Sequence, residues 1–138
     1  MAMTFVVFLS LKRRKEQKMN YNTHTLPNGI RIIHAPNRSA VAYCGFAIVA
    51  GTRDEDAGEQ GMAHFVEHLL FKGTKKRHAW HILNRMEHVG GDLNAYTNKE
   101  ETVVYSAFLV EHFPRAVELL ADIVFHSTFP HAEIDKEV

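Results

Sequence analysis

Three side chains in this 138-residue sequence stand at a spacing that suits metal chemistry: His64, Glu67 and His68, in the order H-x-x-E-H. Where such a segment is helical, residues four apart lie one turn above each other on one face, so two imidazoles can converge on a single zinc ion. Glu67, three residues after His64, shares that face. A carboxylate there can take a proton from a water whose pKa the metal lowers toward about 7, and later deliver it to a leaving amine. That is the chemistry of peptide-bond hydrolysis. A surface helix whose histidines merely stack would show the same letters, so the surrounding residues have to decide between the two.

The elements around the triplet favour a cleft-lining helix. Apolar residues Met62, Phe65, Val66, Leu69 and Leu70 recur at helical spacing, which predicts a helix over 59–72 closed by Gly73. A row of small and acidic residues at 51–61 precedes it as a loop. Upstream, residues 23–26, the turn Pro27-Asn28-Gly29 and residues 30–34 read as a hairpin, and 41–50 as a strand apolar almost throughout. Downstream, a second helix is expected over 79–88, with Trp80, Ile82, Leu83, Met86 and Val89 inward, ending at Gly90-Gly91. Two strands at 93–96 and 102–110 follow. Pro114 suits the first turn of a third helix with Phe113, Val117, Leu120, Ile123 and Val124 on its buried face. Residues 132–138 begin another helix. Strands, two helices, strands and helices again predict an α+β fold, a mixed or antiparallel sheet with helices packed on one face.

Composition narrows the partners. Sixteen basic residues balance sixteen acidic ones, so no global field points to nucleic acid or an anionic membrane, and a nucleic-acid module has only the basic cluster of residues 12–18 in its favour. A neutral surface suits a peptide or protein substrate, as it does many others. The apolar run at 4–11 is far short of the ~20 residues that span a bilayer. Its basic residues follow it rather than precede it, unlike a secretory signal. This reading sets residues 1–18 apart as a mobile or loosely helical N-terminal extension, or else an ordinary extra helix, and 19–138 as the folded unit; the compartment stays open, with the cytoplasm slightly favoured by the lack of a signal pattern. A single cysteine, Cys44, rules out an intramolecular disulfide. The other histidines follow no ligand spacing and read as surface or capping residues; His81 and His88, near the glycine pair, are the ones best placed to depart from that.

The residues from 61 to 74, Gly-Met-Ala-His-Phe-Val-Glu-His-Leu-Leu-Phe-Lys-Gly-Thr, resemble the zinc helix of the pitrilysin and mitochondrial-processing-peptidase family, the inverzincins. Leu26-Pro27-Asn28-Gly29 is similar to that family's opening hairpin, Ala50-Gly51-Thr52-Arg53-Asp54-Glu55 to its strand exit, Gly90-Gly91-Asp92-Leu93-Asn94-Ala95-Tyr96-Thr97 to its substrate-edge strand, and Pro114-Arg115-Ala116-Val117-Glu118 to the helix after it. The resemblance implies a zinc endopeptidase in which His64 and His68 ligate Zn2+ and Glu67 is the general base. It places Asn94 and Ala95 on an edge that takes an extended peptide as an added strand. It also matches Glu137 to a glutamate that supports the metal site without binding the ion. On the residues alone, Asn94 suits a local turn equally well and Glu137 a solvated helix end. The family's third ligand would fall about six residues past Val138, so the expectation is the N-terminal part of a truncated peptidase domain, inactive alone and pairing with itself or with a homologous half-domain. The alternative is a non-catalytic, peptide-binding or scaffolding homologue, although such homologues usually lose the H-x-x-E-H residues that are intact here.

Overall fold

The computed structural model describes residues 3–8, 21–36 and 38–137. Its six strands, β1 (Met3–Phe8), β2 (Asn22–Thr25), β3 (Arg31–Ala35), β4 (Val41–Ile48), β5 (Asp92–Thr97) and β6 (Thr102–Leu109), form one sheet in the order β2-β3-β1-β4-β6-β5. β1 runs parallel to β3, and every other pair is antiparallel. Four helices follow or interleave: α1 (Met62–Leu69), α2 (Ala79–Glu87), α3 (Phe113–His126) and α4 (His131–Glu137). The mixed sheet with helices on one face agrees with the α+β expectation.

Two-residue alternation decides which face is covered. Ala42, Cys44 and Phe46 of β4 pair across to Phe108, Ser106 and Val104 of β6, and all six are buried. Ala116, Leu119, Leu120 and Ile123 of α3 close over them, and Ile82 and Met86 of α2 complete the cluster. Truncating one of these large side chains to Ala costs about 2–5 kcal/mol, because close-packed neighbours cannot collapse into the space. The intervening residues Val41, Tyr43 and Leu109 face away from the helices and stay exposed. Burial pushes the Cys44 thiol up to about 12, so it stays protonated.

Several expectations change. Met3–Phe8 is an interior strand rather than part of a separate extension, with Val6 opposite Ile33 on one side and Gly45 on the other. An apolar run too short for a membrane is the right length for a strand paired on both sides within a sheet. The rest of the predicted extension lies outside the described residues. α1 is shorter than 59–72: Gly61, at φ 91, breaks the chain direction before it, and the helix gives way at Leu70. Gly73 therefore lies past the helix, in a bridge to His78. Trp80 and Leu83, expected inward, are exposed, as are Met62 and Val66 of the apolar spacing in α1, since α1 and α2 each rest on the sheet along a narrower stripe than their apolar residues span.

Candidate metal centre

The position of α1 is set from both ends. At its start, Glu55 reaches back from the preceding loop, accepting the Gly61 N–H at 3.0 Å and the Ala63 N–H at 2.9 Å, two of the donors a helix N-terminus leaves without intrahelical partners. That loop is tied to the β5–β6 turn: the Thr52 and Arg53 N–H groups donate to the Asn98 and Lys99 carbonyls, each at 3.0 Å. Gly51 permits the approach, because a Cβ there would stand 2.4 Å from the Asn98 carbonyl oxygen. The zinc-type helix and the edge strand β5 are thus held by the same loop.

Beyond the end of α1, Thr74 and Arg77 lock the chain to α3. Asp122 Oδ2 accepts the Thr74 hydroxyl at 2.8 Å and Arg77 Nη1 at 2.5 Å, while Arg77 Nη2 reaches both oxygens of Glu118 at 2.9 and 2.7 Å. Burial pushes the Asp122 carboxyl up, but the hydrogen bonds from Thr74 and Arg77 and the charges of Arg77 and Lys76 outweigh it and hold the group below its ordinary value. For Arg77, burial pulls the guanidinium down and the two carboxylates more than reverse that.

On the helix itself, His64 Nε2 and His68 Nε2 stand 3.1 Å apart, with ring centroids 4.7 Å apart. His64 Nδ1 lies 3.5 Å from Glu67 Oε2. Glu67 is buried, 8% exposed, and its Oε2 is shielded from solvent with no hydrogen-bond partner. A tetrahedral zinc ion bound at 2.0–2.1 Å would separate two imidazole nitrogens by about 3.3 Å. The observed separation and donor set fit that ion. Among the described residues, no group of three or more His, Cys, Asp or Glu side chains is placed to hold a metal, so two imidazoles are what they offer.

A cavity of about 430 Å³ brings Glu67 and His68 together with Asn94 and Ala95 of β5, against Leu83 of α2. β5 is the last strand of the sheet, so its outer edge carries no strand partner among the described residues. Ala95 is turned toward the core with Leu93, whereas Asn94 is exposed. What the two share with the site is the main chain of that edge. Glu133, which sequence reasoning passed over, also lines the cavity, 4.0 Å from Lys72 and 2.6 Å from Lys136. Nothing in its local pattern marks it out; α4 has to fold back against α1 to bring it there. Glu137 falls in the last turn of α4, and its side chain lies outside the described residues. His81 and His88 stand apart from this centre, beside Trp80.

An H-x-x-E-H helix laid beside the edge strand of such a sheet is the arrangement of one group of zinc metallopeptidases, the inverzincins. The beta subunit of the mitochondrial-processing peptidase of Bos taurus is 45% identical over 112 residues, 81% of this chain and 23% of that protein. An uncharacterized zinc protease of Rickettsia bellii is 45% identical over 122 residues, 87% of this chain and 29% of that one. The crystal structure of a protease from Helicobacter pylori matches with a TM-score of 0.82 at 27% identity, over 86% of this chain and 29% of that one. The pattern of the family described as "Insulinase (Peptidase family M16)" matches residues 31–138, and the chain belongs to that family. It spans less than a third of the length of these relatives. β1 and β2 precede the matched residues. No helix among the described residues is long and apolar enough to cross a membrane.

Proposed function

We propose that this chain carries the metal-binding helix and the general base of a zinc-dependent endopeptidase acting on extended peptides. The observation that carries the reading is the pair of imidazole nitrogens 3.1 Å apart, beside a buried carboxylate oxygen with no hydrogen-bond partner, with His68 and Glu67 lining the cavity that β5 borders. His64 and His68 would hold the ion. When bound, zinc lowers the pKa of water toward about 7 and polarises a carbonyl. Glu67 Oε2, free of other hydrogen bonds, accepts a proton from the attacking water and returns it to the leaving amine. The free edge at Asn94 and Ala95 holds the peptide extended through main-chain hydrogen bonds, which leaves side-chain identity largely open. In a chain extended to the relatives' length, Glu67→Gln should retain zinc and lose hydrolysis of an unstructured peptide. A parent protein that binds peptide and zinc without cutting would instead make it a non-catalytic homologue.

Pairing with a second copy or with a homologous half-domain belongs to the same proposal. Exposed Val41, Tyr43, Tyr96 and Leu109 lie on the sheet face that no helix among the described residues covers, and apolar side chains grouped this way favour association. Sedimentation of the chain across a concentration series tests it; a monomer throughout would leave the homologous half as the partner.

A further inference from the structure

Between α2 and the start of α3 lies a second cavity, of about 240 Å³, on the side of α2 away from the metal centre. α2 turns Ala79 and Leu83 toward the metal-site cavity and Trp80, His81 and Arg85 toward this one; Lys76 and Arg77 enter from the preceding loop and Arg115 from α3. Four of these side chains are cationic, and no carboxylate lines the cavity. Two carboxylates stand behind it. Glu118 pairs with Arg77 at 2.7 Å and with Arg85 at 3.3 Å, and Asp122 takes the other arm of Arg77. Four cations against two carboxylates leave a local surplus of two positive charges, in a chain whose sixteen basic and sixteen acidic residues cancel overall.

The surplus is concentrated on particular groups. Arg115 donates Nη1 to the Arg85 carbonyl at 3.0 Å and has no carboxylate partner among the described residues. Arg85 Nε is shielded from solvent without an acceptor. Like charges gathered at one partly enclosed place repel unless an anion sits among them. Guanidinium groups are the side chains best matched to oxoanions, through paired, charge-assisted N–H donors. We propose that this cavity binds a small oxoanion bearing phosphate or carboxylate groups. Its volume limits the ligand: at roughly 30 Å³ per water it holds about eight waters, space for a diphosphate or a short dicarboxylate and below the usual 300–1,000 Å³ of drug-sized sites. The site is separate from zinc binding and does not depend on the peptidase reading.

Trp80 makes the test direct. It is the only tryptophan of the sequence, 61% exposed at this cavity and edge-on to His81 with ring centroids 5.0 Å apart, so intrinsic tryptophan fluorescence reports from this place alone. The zinc-free chain is titrated with sodium pyrophosphate, sodium succinate and, at matched ionic strength, sodium chloride. A saturable change with pyrophosphate or succinate, absent with chloride, is expected, and the tighter of the two tells which oxoanion chemistry the site prefers. Affinity should fall at least tenfold in Lys76→Gln/Arg115→Gln. It should also fall in Lys76→Glu, which alters one exposed side chain that makes none of the hydrogen bonds of the Arg77–Asp122 network and touches it through charge alone. The His64→Ala/His68→Ala variant should bind as the parent does. No saturable response to either anion, an equal response to chloride, or undiminished affinity in both Lys76 variants would overturn the proposal.

Discussion

Glu67 Oε2 lies 3.5 Å from Nδ1 of His64, the ring nitrogen opposite the one that faces His68. One face of a two-turn helix therefore turns both Nε2 atoms toward a common point and keeps a carboxylate oxygen with no hydrogen-bond partner beside the first ring. Replacing that oxygen with an amide nitrogen removes proton acceptance and little else. Glu67→Gln, in a chain of the relatives' length, should reduce peptide hydrolysis by about 10²–10⁴-fold with zinc content unchanged. Retained turnover would place the base elsewhere.

Zinc binding should depend on both imidazoles. The His64→Ala/His68→Ala variant is expected to show no tight site by zinc titration, and stoichiometry equal to the parent would refute the ligand assignment. Catalytic zinc normally has three protein ligands, and the described residues supply two. The 138-residue chain alone should accordingly lose zinc on dialysis.

Glu55 holds the start of α1 through two backbone N–H groups that have no intrahelical acceptor. Glu55→Ala should cost about 1 kcal/mol in denaturant unfolding, the usual scale of a lost cap. It should also weaken zinc binding, because the histidines sit in the first two turns of that helix. Unchanged stability and affinity would show that the loop's ties to Asn98 and Lys99 suffice.

The Asp122 network gives a pH dependence of known sign. Its carboxyl is held below the ordinary value of 3.8, so its contribution is fully present above that pH and is lost as pH falls through the lower, folded value. Asp122→Asn should lower stability at pH 7 by about 2 kcal/mol and flatten the acid limb of the stability curve. Urea midpoints at pH 7 and pH 3 test both parts; an unaltered acid limb would mean other carboxylates set it.

Cys44, fully enclosed with its thiol pushed up to about 12, should resist thiol reagents in the native state and react at a rate set by unfolding. Labelling with a chromogenic disulfide, with and without urea, shows which. Fast native labelling would mean that β4 opens locally.

The sequence by itself determined the elements whose period is their own. Helical spacing at 62–70 and the H-x-x-E-H order were enough to place His64, Glu67 and His68 on one face; alternation was enough for β3, and an almost continuous apolar run for β4. Tertiary structure decided what each face meets. An apolar octet reads the same as a loose extension or as a strand, and only pairing with β3 and β4 makes Met3–Phe8 interior. Trp80 fits an inward stripe by spacing, yet α2 turns it outward, since Ile82 and Met86 already fill the space under the helix. Thr74 meets Asp122 across 48 residues of sequence. Glu133 reaches the cavity only because α4 returns to α1. Local periodicity states which residues share a face; the neighbour that covers the face is chosen by contacts between distant segments, whose energies depend on the packed arrangement as a whole.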